Sequence, residues 1–392
     1  MWLNRHFALH QIIPLDWANP DEVLIAVVFG RAVIHVSQPW LPDFEDLKRK
    51  LQTPWSTGIL THNGPLVQEF EQRLQELWGV KHVIAVSNGT LAIQLAIKAL
   101  KVSGDVITTP FTWIATASAI RWEGGRVRFA DISPSTLCLD PNKVEKIITE
   151  NTGAIMPVNV FANPPDFKKF QMISETHGIP LIYDAAHAAS TLFNGRSSLS
   201  YGSISTTSFH ATKLIHTGEG GACVTDDDEV AERLRALRFF GFAEDGSVSD
   251  QGTNAKMTEI HAALGLCCLD NLGLILEKRR VLSEIYTNKL EHCEGLQIPL
   301  VRDSQFVPNH LYFPVLFSQE EILQSVMSAL IARKIYPRRY FYPSLNTMPI
   351  FSSQSCPISE GLAPRILCLP LHVGLSENEV SEIVEIVASE AI

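Results

Sequence analysis

The chain has 392 residues, of which 46% are hydrophobic, and its formal net charge is −10. This length and hydrophobic content suffice for a large buried core and predict one large domain with a smaller one beside it. The acidic balance argues against nucleic-acid binding, which requires a basic surface stripe, but a local loop can still bind a small anion.

The cysteine and histidine patterns favour neither disulfides nor a metal site. The seven cysteines are odd in number and form no C-x-x-C pair, which is typical of free thiols in a reducing cytoplasm. The histidines form no H-E-x-x-H motif. We therefore expect a cytoplasmic protein without a bound metal.

The N-terminal segment contains an apolar run at residues 23–30. This run is too short to span a bilayer and has no small-residue cleavage pattern behind it, so we expect no membrane association. We interpret residues 1–34 as an N-terminal extension of unknown role. Residues 35–270 are then the large domain, and residues 271–392 are the small C-terminal domain.

Helical and strand patterns alternate from residue 65 onward. Apolar residues at helical spacing predict helices, and short apolar runs between them predict strands. This alternation predicts an α/β fold with a mostly parallel sheet covered by helices. The predicted strands are 82–86, 105–109, 127–131, 154–161 and 180–183, and the predicted helices are 65–77, 91–100, 113–122 and 166–176.

The C-terminal third has a different pattern. A helical pattern over residues 258–290, with a bend near Asn271, leads out of the large domain. A strand at 312–317 and helices at 320–333 and 376–388 follow it. These elements predict a smaller α+β domain.

Ligands of parallel sheets bind at the carboxyl ends of strands, so the polar residues there are candidates for a site. The motif S-N-G-T at residues 87–90 follows the first strand. It either binds an anion at a helix N-terminus or only caps that helix. P-F-T-W at residues 110–113 follows the second strand, and its Trp113 either stacks on a flat ring or belongs to the core.

A carboxylate and a histidine follow the strand at residues 180–183. Asp184 either faces a ligand or caps the next helix. Facing a ligand, it would keep a ring nitrogen protonated. His187 is either a second contact to that ligand or a structural histidine.

Lys213 lies in S-F-H-A-T-K-L-I-H-T-G-E-G-G-A, between a polar turn and a glycine-rich loop. Ser208 begins this stretch, so a turn can bring both side chains to one ligand, and the glycines permit tight backbone geometry. An anion site, an aromatic ring, a carboxylate and a lysine are the groups needed to hold pyridoxal phosphate. No G-x-G-x-x-G motif follows the first strand, which disfavours a nicotinamide or flavin cofactor.

These stretches, together with G-T-N-A-K-M-T-E-I-H-A-A-L-G-L at residues 252–266, resemble motifs of the DegT/DnrJ/EryC1/StrS family of sugar-nucleotide aminotransferases. The resemblance covers about residue 35 to the end, with the motifs in the family's order. It implies the type I fold of pyridoxal-phosphate-dependent transferases, which is the fold of aspartate aminotransferase.

The resemblance also implies roles for individual residues. Lys213 corresponds to the lysine that forms a Schiff base with pyridoxal phosphate, and Asp184 to the carboxylate that pairs with its ring nitrogen. His187 would lie near the ring oxygen and Trp113 against the ring face. The implied phosphate contacts are Gly89, Thr90, Ser208 and, from the neighbouring subunit, Asn254. A homodimer with shared active sites is therefore implied.

The stretch R-R-Y-F-Y-P at residues 338–343 resembles the family's R-Y-F-Y-P segment near the substrate. Arg339 and Tyr340 are therefore either contacts to sugar or phosphate groups, or ordinary surface and core residues.

The implied reaction moves an amino group from L-glutamate to a nucleotide-linked keto sugar. The loop F-F-G-F at residues 239–242 resembles a version found near 4-amino-4,6-dideoxyhexose enzymes. It favours 4-amination of a dTDP-4-keto-6-deoxyhexose for polysaccharide or glycosylated-metabolite synthesis. Lys213 argues against the deoxygenating branch, which has histidine there. A 3-keto sugar nucleotide as acceptor, a pyridoxal-phosphate-dependent sugar dehydratase and a non-catalytic scaffold stay open as alternatives.

Overall fold

The computed structural model describes residues 33–351 and 354–391. The extension predicted for residues 1–34 therefore lies outside the described residues, except for its last two.

The strands of the described residues are short. In chain order they are β1 (Ile34–His35), β2 (His82–Val86), β3 (Asp105–Thr108), β4 (Arg126–Phe129), β5 (Thr152–Met156), β6 (Ile182–Asp184), β7 (Leu192–Phe193), β8 (Arg196–Ser197), β9 (Ile204–Ser208), β10 (Gly221–Thr225), β11 (Leu296–Gln297), β12 (Phe306–Val307), β13 (Phe313–Phe317), β14 (Ile335–Tyr336) and β15 (Ile366–Leu369).

The α-helices alternate with these strands over most of the chain. In chain order they are α1 (Phe44–Thr57), α2 (Pro65–Trp78), α3 (Gly89–Ala99), α4 (Ile114–Trp122), α5 (Pro141–Glu145), α6 (Phe167–His177), α7 (Asp228–Arg238), α8 (Glu259–Asp270), α9 (Leu272–Leu290), α10 (Glu320–Ala332), α11 (Pro357–Leu362) and α12 (Glu377–Glu390).

The large sheet has the order β4-β3-β5-β6-β9-β10-β2. Its two halves are joined by parallel bridges from Ile155 to Leu181 and from Val158 to Asp184. Strand β10 runs antiparallel to both neighbours, and the other pairings are parallel. The prediction of a mostly parallel sheet is therefore confirmed.

Helices cover both faces of this sheet. Along β2, Val83 packs in one hydrophobic cluster with α2 and α8, whereas Ile84 packs in another with α3, α4 and α7. Successive strand residues point to opposite faces, so a strand covered on both sides can be apolar at every position. This is why residues 83–86 of β2 read as a continuous apolar run.

The C-terminal part forms a second core around an antiparallel sheet, β11-β13-β15. Apolar residues of α9, α10 and α12 pack against this sheet. Strand β1 pairs in parallel with β14, and Ile34 is buried in the same cluster. The boundary predicted between residues 34 and 35 thus falls inside a strand. The division into domains stays a prediction.

The helical pattern over residues 258–290 is divided into α8 and α9, which are bent by 62° at Asn271. The predicted bend is therefore confirmed. No single helix of the described residues has the length and apolar composition needed to cross a bilayer, although this bent pair reaches that length and composition together.

A buried carboxylate fixes the start of α2. Glu259 is fully buried, and its two oxygens accept hydrogen bonds from the backbone N–H groups of Leu66 (2.8 Å) and Val67 (3.0 Å). These N–H groups have no partner inside their own helix, and a negative charge there interacts favourably with the helix dipole. Gly64 is required beside it, because an added Cβ would lie 2.7 Å from the Glu259 carboxyl carbon.

We predict that Glu259→Gln lowers the free energy of unfolding by about 1.5–3 kcal/mol, the usual worth of hydrogen bonds to a charged group. The amide keeps one acceptor oxygen but presents an N–H donor to the second helix N–H. Urea denaturation should be compared with that of Glu321→Gln, an exposed glutamate in the first turn of α10. Equal midpoints for the two variants would contradict the assigned role.

Candidate active site

A cavity of about 740 Å³ opens at the carboxyl ends of the large-sheet strands. Segments that follow β2, β3, β6 and β9 line it, and the C-terminal part closes one side. The predicted site residues that line it are Gly89, Thr90, Trp113, Asp184, His187, Ser208, Lys213 and Tyr340. The strand-end rule therefore brings most of the predicted residues into one pocket.

Lys213 lies in a loop that is held closed between β9 and β10. Backbone hydrogen bonds from Phe209 to Gly220 (2.7 Å) and from Ala211 to Gly218 (2.8 Å) fasten the loop. The Lys213 Nζ donates a hydrogen bond of 3.3 Å to the Tyr312 hydroxyl. Burial lowers the pKa of Lys213 to about 8, against an opposing effect of the Asp184 charge. The neutral fraction of this amine near physiological pH is therefore much larger than that of an ordinary lysine.

Asp184 ends β6 and is buried in the same pocket. Its carboxylate accepts hydrogen bonds from the Thr116 hydroxyl (2.7 Å) and from the Ala186 backbone N–H (3.2 Å). Burial raises the pKa of Asp184, whereas these two bonds and the Lys213 charge act in the opposite direction. The carboxylate has no ion-pair partner among the described residues, so a cationic ligand atom would complete its environment.

The start of α3 lies against the end of β9. The Asn88 side chain caps α3 by accepting a hydrogen bond of 2.9 Å from the Leu91 N–H. A Cβ on Gly89 would lie 2.9 Å from the Ser208 Cβ, so this contact requires glycine. The helix N-terminus, Thr90 and the Ser208 hydroxyl together form a cradle suited to a phosphate. Here the capping interpretation and the anion-site interpretation are compatible.

His187 is buried in the same pocket. Its ring is stacked on Phe341 (centroids 5.9 Å apart) and meets the edge of Tyr312 (4.9 Å). Burial, aided by the Lys213 charge, holds the pKa of His187 well below its usual value. Its Nδ1 atom is buried and has no hydrogen-bond partner among the described residues. A neutral histidine with a free ring nitrogen is thus available to a ligand.

Aromatic side chains form the mouth of the pocket. Trp113 is half exposed and meets Tyr340 edge to face, with ring centroids 6.4 Å apart. Trp113 is therefore not a core residue. An exposed indole face at this position is available for stacking on a flat ligand.

Arg339 does not line the pocket, contrary to its interpretation as a possible substrate contact. Its guanidinium donates to Glu320 (2.7 Å) and to the Pro364 carbonyl (2.8 Å), and it lies over the Tyr342 ring. These contacts tie the segment to α10. The neighbouring Arg338 lines the pocket instead.

Asn254 also lies outside the pocket of its own chain. It is exposed, bridges to Phe239, and accepts a hydrogen bond of 2.5 Å from Lys256. An Asn254 that contacts a cofactor in this pocket would have to come from a second copy, as the family resemblance implies.

The pocket residues that sequence reasoning missed include Thr116, Tyr312 and Arg338. Thr116 follows Trp113 by less than one helical turn, so the position of P-F-T-W could have indicated it. Tyr312 and Arg338 come from the C-terminal part, and no strand-end rule of the large sheet points to them.

The pocket fits pyridoxal phosphate. The buried Asp184 suits a protonated ring nitrogen, the orphaned His187 nitrogen suits a ring oxygen, and the cradle at Gly89 suits a phosphate. Lys213 supplies the amine that such a carbonyl cofactor requires.

The comparisons with known proteins agree with this fit. The model of the DegT/DnrJ/EryC1/StrS aminotransferase family matches residues 43–388. The chain is 36% identical to the dTDP-4-amino-4,6-dideoxy-D-glucose transaminase of Shigella dysenteriae, over 90% of this chain and 97% of that one. It is 31% identical to the GDP-perosamine synthase of Caulobacter vibrioides, over 85% and 91% of the two chains.

A solved structure shows the same fold. The crystal structure of DesI in the presence of its TDP-sugar product superimposes with a TM-score of 0.88. The two chains are 34% identical, and the match covers 92% of this chain and 94% of that one.

The fold and the pocket are thus those of a type I pyridoxal-phosphate enzyme. The chain belongs to the DegT/DnrJ/EryC1/StrS aminotransferase family. It is a pyridoxal-phosphate-dependent sugar-nucleotide aminotransferase, and the expected fold, cofactor and enzyme class are confirmed. The scaffold alternative is not supported.

We predict that acetylation of Lys213 in cofactor-free protein reaches half its maximal rate near pH 8, because only the neutral amine is nucleophilic. The neutral fraction grows as the pH rises through the pKa and then levels off. Competitive acetylation followed by peptide mass spectrometry measures this rate for each lysine.

Lys81 is the internal control, because its exposed amine pairs with Asp228 and its pKa is raised. Acetylation of Lys81 should still be rising where that of Lys213 has levelled off. Parallel profiles for the two lysines would contradict the lowered pKa of Lys213.

Proposed function

We propose that this enzyme transfers an amino group from L-glutamate to carbon 4 of a dTDP-linked 4-keto-6-deoxyhexose. The observation that carries the proposal is the meeting of Lys213, Asp184 and the Gly89–Ser208 cradle at the base of one pocket with an aromatic mouth. Similarity to a dTDP-4-amino-4,6-dideoxy-D-glucose transaminase supports the acceptor.

The pocket residues have distinct tasks in this proposal. When bound, pyridoxal phosphate supplies a carbonyl that carries nitrogen between the two substrates and a ring that withdraws electrons from the reacting carbon. Asp184 keeps the ring nitrogen protonated, and His187 contacts the ring oxygen. Gly89, Thr90 and Ser208 hold the phosphate, and Trp113 lies against the ring.

Lys213 is the base and acid of the reaction. Its amine removes the proton from the α-carbon of the donor and later delivers a proton to the sugar carbon that receives the nitrogen. A lysine whose pKa burial lowers to about 8 suits both directions of proton transfer near neutral pH. The Tyr312 hydroxyl, 3.3 Å away, orients the amine in the pocket.

A GDP-linked acceptor is the second candidate, favoured by the similarity to a GDP-perosamine synthase. Both candidates carry a nucleoside diphosphate on the sugar and differ in the base. The higher identity to the dTDP enzyme favours dTDP.

We further propose that the active unit is a homodimer with shared sites. Asn254 is exposed outside its own pocket, and the adjacent loop exposes Phe240 and Phe242. The Phe240 N–H bonds to the Thr253 carbonyl at 3.0 Å, so these rings and Asn254 form one surface. Exposed aromatic rings of this kind mark protein interfaces. Docked on a second copy, this surface brings Asn254 to the partner's phosphate cradle.

We predict that the enzyme moves the ¹⁵N of labelled L-glutamate to carbon 4 of dTDP-4-keto-6-deoxyglucose, as measured by NMR and mass spectrometry of the product. Lys213→Ala is the control and should form no labelled sugar. Nitrogen on carbon 3, a deoxygenated product or turnover only with a GDP-linked sugar would each contradict the proposed acceptor.

A mixture of subunits tests the shared site. We predict that Lys213→Ala and Asn254→Ala are each strongly impaired alone. A random mixture of the two subunits should recover roughly one quarter of wild-type activity, because half of the dimers are hybrids with one intact site of two. Hybrids isolated after co-expression with two affinity tags should recover about one half. A mixture no more active than its parents would contradict the contribution of Asn254 across the interface.

A further inference from the structure

Two threonine hydroxyls lie in line behind the Asp184 carboxylate. Thr116, in the first turn of α4, has its Oγ1 2.7 Å from Asp184 Oδ2, and Thr112 Oγ1 lies 3.0 Å from that of Thr116. Both threonines are buried and line the pocket. An ionised carboxylate only accepts hydrogen bonds, and a hydroxyl has a single proton. Thr116 therefore donates to Asp184 and accepts from Thr112, so both protons point towards the carboxylate.

The Thr116 hydroxyl is the stronger of the two donors that the described residues offer to the Asp184 side chain. The other donor is the Ala186 backbone N–H, at 3.2 Å. Burial raises the pKa of Asp184, and the Thr116 hydrogen bond is the largest of the effects that act against it, ahead of the Ala186 bond and the Lys213 charge. A hydrogen bond from a hydroxyl to a carboxylate is roughly twice as strong as one between neutral groups. Thr116 is thus the main protein group that favours the charged form of Asp184.

The other titratable groups of the pocket act on Asp184 less steadily than this hydroxyl does. Those that line the cavity are His187, His210, Lys213, Glu219, Tyr312, Arg338 and Tyr340. The Lys213 charge acts on Asp184, but burial lowers the pKa of Lys213 to about 8, so this charge is lost as the pH rises through that value. Burial also holds the pKa of His187 well below its usual value, so its ring is neutral near pH 7. A threonine hydroxyl does not titrate in this range, so Thr116 acts on Asp184 throughout it.

The charge of Asp184 matters because the carboxylate pairs with the ring nitrogen of the cofactor. A carboxylate pairs with a protonated ring nitrogen, whereas a protonated carboxyl group leaves that nitrogen without its proton. A pyridine ring withdraws electrons more strongly when its nitrogen is protonated. A group that favours the carboxylate form of Asp184 therefore favours the form of the ring that stabilises negative charge at the reacting carbon.

We propose that Thr116, with Thr112 behind it, is a positioning residue that holds Asp184 in its charged form and thereby keeps the ring nitrogen of the cofactor protonated. The inference rests on the role that the proposed function gives to Asp184, and it does not depend on which sugar is the acceptor. Both threonines act through Asp184 and not on the reacting atoms.

The first test follows the carboxyl of Asp184 by ¹³C NMR in cofactor-free protein labelled at the aspartate carboxyl groups, where Asp184→Asn identifies the signal. Thr116→Val keeps the shape of the side chain but lacks the hydroxyl. The midpoint of the Asp184 titration should therefore rise by about one pH unit, as expected when a hydrogen bond to a charged group is lost. Thr116→Ser keeps the hydroxyl and should titrate like wild type. Thr112→Val should give a smaller rise, because it weakens the Thr116 bond only indirectly.

Thr108→Val is the matched control. Thr108 is fully buried outside the pocket lining, and its hydroxyl donates a bond of the same length, 2.7 Å, to the Met156 carbonyl. This variant should unfold more easily, but its Asp184 midpoint should match that of wild type. An unchanged midpoint in Thr116→Val, or an equal rise in Thr108→Val, would overturn the inference. If Thr116→Val does not fold, Thr112→Val decides by the same criterion.

The second test examines the enzyme loaded with pyridoxal phosphate that carries ¹⁵N at its ring nitrogen. The ¹⁵N signal distinguishes a protonated ring from an unprotonated one, and Thr116→Val should move it from the protonated towards the unprotonated value. In the reaction with L-glutamate, the same variant should lower the saturating rate several-fold and change the half-saturating concentration by less than about twofold. An unchanged ring signal, or an equal change in both kinetic quantities, would contradict the inference.

Failure of this inference can be told from failure of the proposed function. Wild-type protein that does not move nitrogen from L-glutamate to carbon 4 of the sugar would contradict the proposed acceptor, whereas a raised Asp184 midpoint in Thr116→Val would still support the inference. Wild-type protein that aminates carbon 4, together with a Thr116→Val variant whose Asp184 midpoint and ring signal are unchanged, would overturn the inference alone.

Discussion

The burial of two opposite charges at the base of one pocket is the constraint on which the site depends. Burial lowers the pKa of Lys213 and raises that of Asp184, and in both cases it outweighs the attraction between the two groups. The amine is thereby brought close to neutrality, as a nucleophile and proton carrier requires. A cation that enters the pocket with a ligand would stabilise the charged form of the Asp184 carboxylate, which burial disfavours. The pocket is thus preorganised for a group that carries both a carbonyl and a protonated ring nitrogen.

The strand order of the large sheet determines where Asp184 and Lys213 lie. Parallel strands end at one edge, so Asp184 at the end of β6 pairs with Thr206 of β9, and Ser208 ends β9 two residues further on at the same edge. Strand β10 runs the other way, so the loop between β9 and β10 turns back over that edge and carries Lys213 with it. The closeness of Gly89 to Ser208 then sets the helix N-terminus against the same edge. Helices cover both faces of the sheet, which leaves the edge as the place where polar groups can meet a ligand.

The parts of the fold and site that depend on local rules could be predicted from the sequence. Alternating elements predict the sheet, and residues directly after strands predict the base of the pocket. Long-range pairing could not be predicted in this way. Strand β1 pairs with β14, about three hundred residues away, and no local pattern in a two-residue strand specifies such a partner. Tyr312 reaches Lys213 only because the C-terminal core packs against the large sheet.

The two consecutive arginines show why the sequence alone could not assign the mouth of the pocket. Neighbouring residues on an extended segment point to opposite sides, so only one of Arg338 and Arg339 can face the ligand. Which one does so is fixed by the bridge between Arg338 and Cys368, a register set by β15 and absent from the local sequence. That register directs Arg339 to Glu320, where it holds α10 to the segment. With Arg339 occupied there, Arg338 lies near the Trp113 and Tyr340 rings and lines the pocket. One local stretch thus joins the C-terminal core to the pocket with one arginine and places the other in the pocket lining.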